Sequence, residues 1–116
     1  MRIINALALF LLASSSVNAE IISGPFKDKA ECATFATLSG YDNRITPEQK
    51  WAMYDKTLKE FAQLRQNLLG TTRFITEYNY EMNIATIRAT DMVNLIKGER
   101  ENAAVQLWNK YRCGSK

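Results

Sequence analysis

After Gly24 the apolar residues recur almost everywhere at helical spacing, and nowhere with the two-residue alternation of a strand. Four segments carry that period, at about 27–39, 47–69, 72–97 and 99–112. The longest has two apolar stripes. At about 100° per residue, Phe74, Ile75, Tyr78, Met82, Ala85, Ala89, Met92, Val93 and Ile96 share one side, and Tyr80, Ile84, Ile87 and Leu95 share another. A surface helix needs one apolar face, so a helix with two is expected to lie between neighbours at the centre of the fold. The predicted class is all-α, a small bundle of three to four helices.

Punctuation between the segments supports the same division. The first helix turns Cys32, Phe35, Ala36 and Leu38 inward, and Gly40 is its expected stop, because glycine takes the left-handed conformation without steric cost. Thr46-Pro47-Glu48-Gln49 reads as a helix start: a cap, a proline at the first position, an acid at the positive dipole end and the second half of a capping box. The second helix shows Trp51, Tyr54, Leu58, Phe61, Ala62, Leu68 and Leu69 as its core stripe and stops at Gly70, with Asp55 and Lys59 paired on its outer side. Thr71 or Thr72 caps the third, and so short a link predicts an antiparallel hairpin. Gly98 allows either a break or a continuous helix to Tyr111; Glu99 and Glu101 suit a new start, so a break or sharp kink is expected. The last helix carries Ala103, Ala104, Leu107, Trp108 and Tyr111 on one side.

The first nineteen residues have a different character. Arg2 precedes an apolar run from Ile3 to Ala13, and Val17-Asn18-Ala19 presents small residues for signal peptidase. The expectation is a signal peptide over 1–19 and a single helical domain over 20–116, secreted or periplasmic after cleavage near Ala19. The run is shorter than the roughly 20 residues that span a bilayer. With Arg2 gone, 14 basic residues face 12 acidic ones, a formal charge of +2. There is no basic stripe for nucleic acid and no transmembrane segment in the mature chain. Two cysteines, Cys32 and Cys113, allow one internal pairing, which would tie the first helix to the C-terminal end.

Candidate chemistry is sparse. The chain has no histidine, so the commonest general base, metal ligand and axial haem ligand are all missing. No phosphate loop, serine-nucleophile motif or calcium spacing is present, and no cofactor or metal is expected. Glu77 and Glu81 lie four apart with Arg88 beyond them, which an acid/base hydrolase would need but which equally suits ion pairs at the boundary of two packed faces. Arg65 stands where an aliphatic residue is expected on the second helix, and Glu77 or Glu81 is its natural partner. Asn79, Asn83, Thr86, Thr90 and Asn94, with Thr76, line an uncharged side of the third helix. Exposed helix faces more often carry Lys, Glu and Arg, which are better helix formers, so this strip is the candidate interaction face, with an ordinary solvated face as the other reading. The leading expectation is a non-catalytic exported protein that binds an unidentified protein partner, of inhibitor, immunity, exclusion or accessory type. An apolar-ligand-binding bundle is the alternative, and a hydrolase using Glu77 or Glu81 has the least behind it.

Overall fold

Pro25–Leu38 (α1) is the most enclosed helix, although Asp28 and Thr37 reach solvent. Phe26, Ala30, Cys32, Ala33, Thr34, Phe35 and Ala36 are all inaccessible, and at about 100° per residue they occupy most of the circumference of the helix. The computed structural model describes residues 24–65 and 71–116, and its elements continue with Pro47–Arg65 (α2), Thr71–Asn94 (α3), Arg100–Lys110 (α4) and a 3-10 turn over Cys113–Ser115. The expected signal segment, and Leu68, Leu69 and Gly70, lie outside the described residues, as do the side chains of Thr71 and Thr72.

Among the described residues the protein is thus an all-α bundle of four helices, with α2, α3 and α4 each packed on α1. This corrects the expectation that the longest helix is the central one. Alanines at 30, 33 and 36 let neighbouring helices approach closely, and the distance between packed helices follows the side chains at the contact. The polar residues of α1 do not oppose burial, because they satisfy themselves locally. Thr34 Oγ1 donates to the Ala30 carbonyl at 3.1 Å, and Ser39 Oγ to that of Ala36 at 2.6 Å.

Two apolar clusters sit along α1. At its start, Phe26 and Ala30 meet Phe61 of α2 and Ala85 of α3, with Phe74, Tyr78, Met82 and Leu64 around them. At its end, Cys32, Phe35 and Ala36 meet Ile45, Met53, Ala89, Val93 and the inner face of α4, including Ala104, Leu107 and Trp108. The hairpin of α2 and α3 is accordingly loose. The two helices touch chiefly near their link, where the Phe61 ring lies 5.1 Å from Phe74 and 5.5 Å from Tyr78, and beyond that each packs on α1.

The core stripes of α2 and α3 also differ from the pattern. On α2 the buried face is Met53, Thr57 and Phe61, while Trp51, Tyr54 and Leu58 are exposed. Thr57 joins the core because its hydroxyl donates to the Met53 carbonyl at 2.7 Å, so the helix rotates toward a stripe that looks half polar. On α3 the first stripe supplies the core through Ala85, Ala89 and Val93, although Ile75 is exposed; the second stripe, Tyr80, Ile84, Ile87 and Leu95, faces outward, with only Ile84 half-buried.

Local signals fare better. Gly40 takes φ +57° and its N–H bonds the Thr37 carbonyl at 3.1 Å, ending α1. The capping box forms in both directions: the Gln49 N–H donates to Thr46 Oγ1 at 3.1 Å and the Thr46 N–H to Gln49 Oε1 at 2.9 Å. Thr46→Ala is expected to cost about 1 kcal/mol, read as a lower midpoint in urea; an unchanged midpoint would mean that the box contributes nothing. The third helix ends at Asn94, and Gly98 at φ +111° turns the chain into α4, so the break is real. After α4, Arg112 in a left-handed conformation brings Cys113 to Cys32, and the disulfide closes with its Cα atoms 5.5 Å apart.

Candidate interaction face

Rotation of α3 so that Ala85, Ala89 and Val93 point to the core places its uncharged residues on the outside. Asn79, Asn83, Thr86 and Asn94 are exposed and Thr90 is half-buried. Thr86 turns its hydroxyl back to the Met82 carbonyl at 2.8 Å, presenting its methyl group outward. Beside this strip stand Tyr80 and Ile87, 64% and 62% exposed, with half-buried Ile84. Between Thr76 and Thr90 no charge interrupts this side of the helix; Glu77, Glu81 and Arg88 project from its other flank. Amides and hydroxyls desolvate at less cost than ions do, and charged residues are depleted at the centre of contact surfaces.

The charged candidates separate into two places. Arg65 Nε of α2 lies 3.9 Å from Glu77 Oε2, and Arg73 Nη2 lies 3.4 Å from Glu77 Oε1. Among the described residues Arg65 Nε is buried without a hydrogen bond, and the Glu77 carboxylate at 3.9 Å offsets part of its charge. Glu81 instead shares a small crevice with Phe26, Lys27 and Arg88. Glu77 and Glu81 therefore do not converge on one spot, and among the described residues no cluster of carboxylates and thiols has the makeup of a metal site.

Two surface features escape a one-dimensional reading. The larger is a cleft of about 450 Å³ between α1, α3 and the C-terminal turn. Lys27, Arg88 and Lys116 face Asp28, Glu31 and Asp91 across it, over a floor that includes Phe35 and the Cys32 side of the bridge. Glu31 is its most enclosed charge; burial pushes its carboxyl above the usual range, and Lys27, 4.0 Å away, pulls the other way. Opposite charges balance around this cleft, so it presents no single-sign field. Its members come from three elements far apart in sequence, and no local motif announces it.

The second feature is a groove of about 330 Å³ beside Trp51 and Tyr54, edged by Thr37 and Lys50. The Tyr54 hydroxyl is hydrogen-bonded to Thr37 Oγ1, and the Lys50 ammonium donates to the Gly40 carbonyl. Trp51 is 77% exposed. Its signal was present in the sequence as an apolar stripe at helical spacing, but the Trp51, Tyr54 and Leu58 part of that stripe faces outward. Nearby, Asp42 receives two hydrogen bonds from the Arg44 guanidinium, at 3.0 and 2.8 Å, and the pairing holds its carboxyl down at about 2. Arg44 also bonds Asn102 Oδ1 at 2.8 Å, fastening the α1–α2 loop to α4.

No protein-family model, curated protein or solved structure matches this chain.

Proposed function

We propose that this is a small exported, non-catalytic protein that works by binding another protein in the periplasm or extracellular space, as an inhibitor, immunity or exclusion factor, or accessory subunit. The observation that carries the reading is the exposed, uncharged side of α3 from Asn79 to Asn94, held on a helix whose opposite side is locked into the core. A rigid face loses little conformational entropy on binding, which favours recognition. The Cys32–Cys113 disulfide fits an oxidising compartment, and no helix among the described residues is long and apolar enough to cross a membrane. A secreted or periplasmic address after cleavage near Ala19 belongs to the same proposal.

Asn83→Glu and Thr86→Lys each place a charge on that face without touching the core. Both variants are expected to lose a partner that the wild type retains from its native envelope or medium, while melting within a degree or two of it. Retention of the same partner by both variants would remove the face from consideration.

A further inference from the structure

The cleft between α1, α3 and the C-terminal turn gathers charges that the fold itself leaves unused. Lys27, Asp28 and Glu31 reach it from α1, Arg88 and Asp91 from α3, and Lys116 from the end of the chain. Lys27 and Glu31 approach at 4.0 Å, too far for a hydrogen bond. Among the described residues the side chains of Asp28, Arg88, Asp91 and Lys116 make no ion pair or hydrogen bond at all.

Glu31 is the unusual member. Its side chain is 14% exposed, yet among the described residues its carboxylate receives no hydrogen bond. Arg88 and Lys116 act on it through their fields without touching it. A carboxylate enclosed to that degree is ionised at a cost, which a charged donor offsets. Arg88 is the complementary case, an exposed guanidinium whose planar fork of donors suits a carboxylate and finds none within the fold. Apolar surface stands in the same cleft. Met92 is half-buried there, and the Tyr111 ring, 38% exposed, stacks on Phe35 with centroids 6.1 Å apart.

We propose that this cleft binds a small zwitterion of the amino-acid or short-peptide class, with its ammonium on Glu31, its carboxylate on Arg88 and an apolar side chain against Met92 and Tyr111. Charge selects this class. A simple anion meets Asp28, Glu31 and Asp91, and a simple cation meets Lys27, Arg88 and Lys116. A wholly apolar ligand strips water from both sets and pairs neither. A molecule carrying both signs answers both: an ammonium brings three donors to Glu31, and a carboxylate accepts the Arg88 fork in two parallel bonds. Volume favours two or three residues over one. The cleft, at about 450 Å³, lies within the range of small-molecule sites and equals about fifteen times the share of one water in the liquid. The site uses the flank of α3 away from the Asn/Thr strip, so it stands or falls independently of the protein-binding reading.

Titration calorimetry of the oxidised protein with leucine, dileucine and trileucine, each free and capped, tests it. The free peptides are expected to bind, trileucine more tightly than leucine. Acetylating the amino end or amidating the carboxyl end is expected to weaken binding about tenfold in each case. Glu31→Gln is expected to become insensitive to the acetyl cap and Arg88→Gln to the amide cap, both with wild-type helical content by circular dichroism. Leucine bound as tightly as trileucine would assign the cleft to free amino acids. Absence of binding by every free ligand at millimolar concentration overturns the site, as does equal binding of free and capped peptides. Arg88→Gln that still discriminates the amide cap overturns it too. The cap series on the wild type decides the matter even where a variant fails to fold. A protein that ignores all these ligands yet loses its partner on Asn83→Glu would sink the cleft and leave the protein-binding reading standing.

Discussion

Replacing Cys32 and Cys113 together by alanine is expected to lower stability by about 4–5 kcal/mol, the chain-entropy value for releasing so long a loop. The bridge spans 81 positions and joins the most enclosed helix to the last turn of the chain. Both cysteines are inaccessible, so alanine is the informative substitute; serine would add a buried hydroxyl and its own penalty. For a domain with one modest core, a loss of that size consumes most of a typical stability of 5–15 kcal/mol. The melting temperature should fall by about 20 °C or more. Thermal unfolding of the oxidised, reduced and doubly substituted proteins measures it. Coincident melting curves would show that the bundle holds α4 and its tail in place without the bridge.

Phe61→Ala is expected to be almost as damaging, at about 3–5 kcal/mol. Its ring is fully buried and is the hub of the first cluster, 5.1 Å from Phe26, 5.1 Å from Phe74 and 5.5 Å from Tyr78. Phe26 and Phe74 come from different helices, so truncation leaves a cavity that no single rotation fills. It also loosens the place where α2 and α3 touch. Trp51→Ala is the matched control. It removes a larger ring from the same helix, yet from a site 77% exposed, and is expected to change stability by no more than about 0.5 kcal/mol. Chemical denaturation of the two variants decides which stripe of α2 faces the core. Equal losses would contradict the rotation described for this helix.

These two substitutions mark where pattern and structure part. Phe61 and Trp51 both belong to an apolar stripe that the spacing alone assigns to the core. The buried face runs instead through Met53, Thr57, Phe61 and Leu64, and a hydropathy pattern counts Thr57 against it. Its hydroxyl is nevertheless satisfied by the Met53 carbonyl, so only its methyl group meets the core. Thr34 on α1 hides the same way. On α3 the error runs in the opposite direction: Tyr80 and Ile87 carry the hydrophobicity of core residues and face outward. The Asn/Thr strip lies outside as its composition implied. The mixed-charge cleft around Glu31, assembled from α1, α3 and the C-terminal turn, has no counterpart in any single stretch of the chain.

By itself the sequence determined whatever depends on near neighbours along the chain or on simple counting. The helices and the break at Gly98 follow from periodicity, the start of α2 from the reciprocal bonds of Thr46 and Gln49, the end of α1 from the left-handed freedom of Gly40, and the bridge from there being only two cysteines. Only the tertiary structure decided which helix is central and which stripes are covered. A helical period fixes the direction in which a face points, but not whether another element arrives to cover it. That depends on size and shape at the contacts, and the alanine-rich α1, whose hydroxyls bond its own carbonyls, admits three neighbouring helices. The longer α3 gives one face to the core and keeps the other, with Tyr80, Ile87 and most of its amide strip, in water.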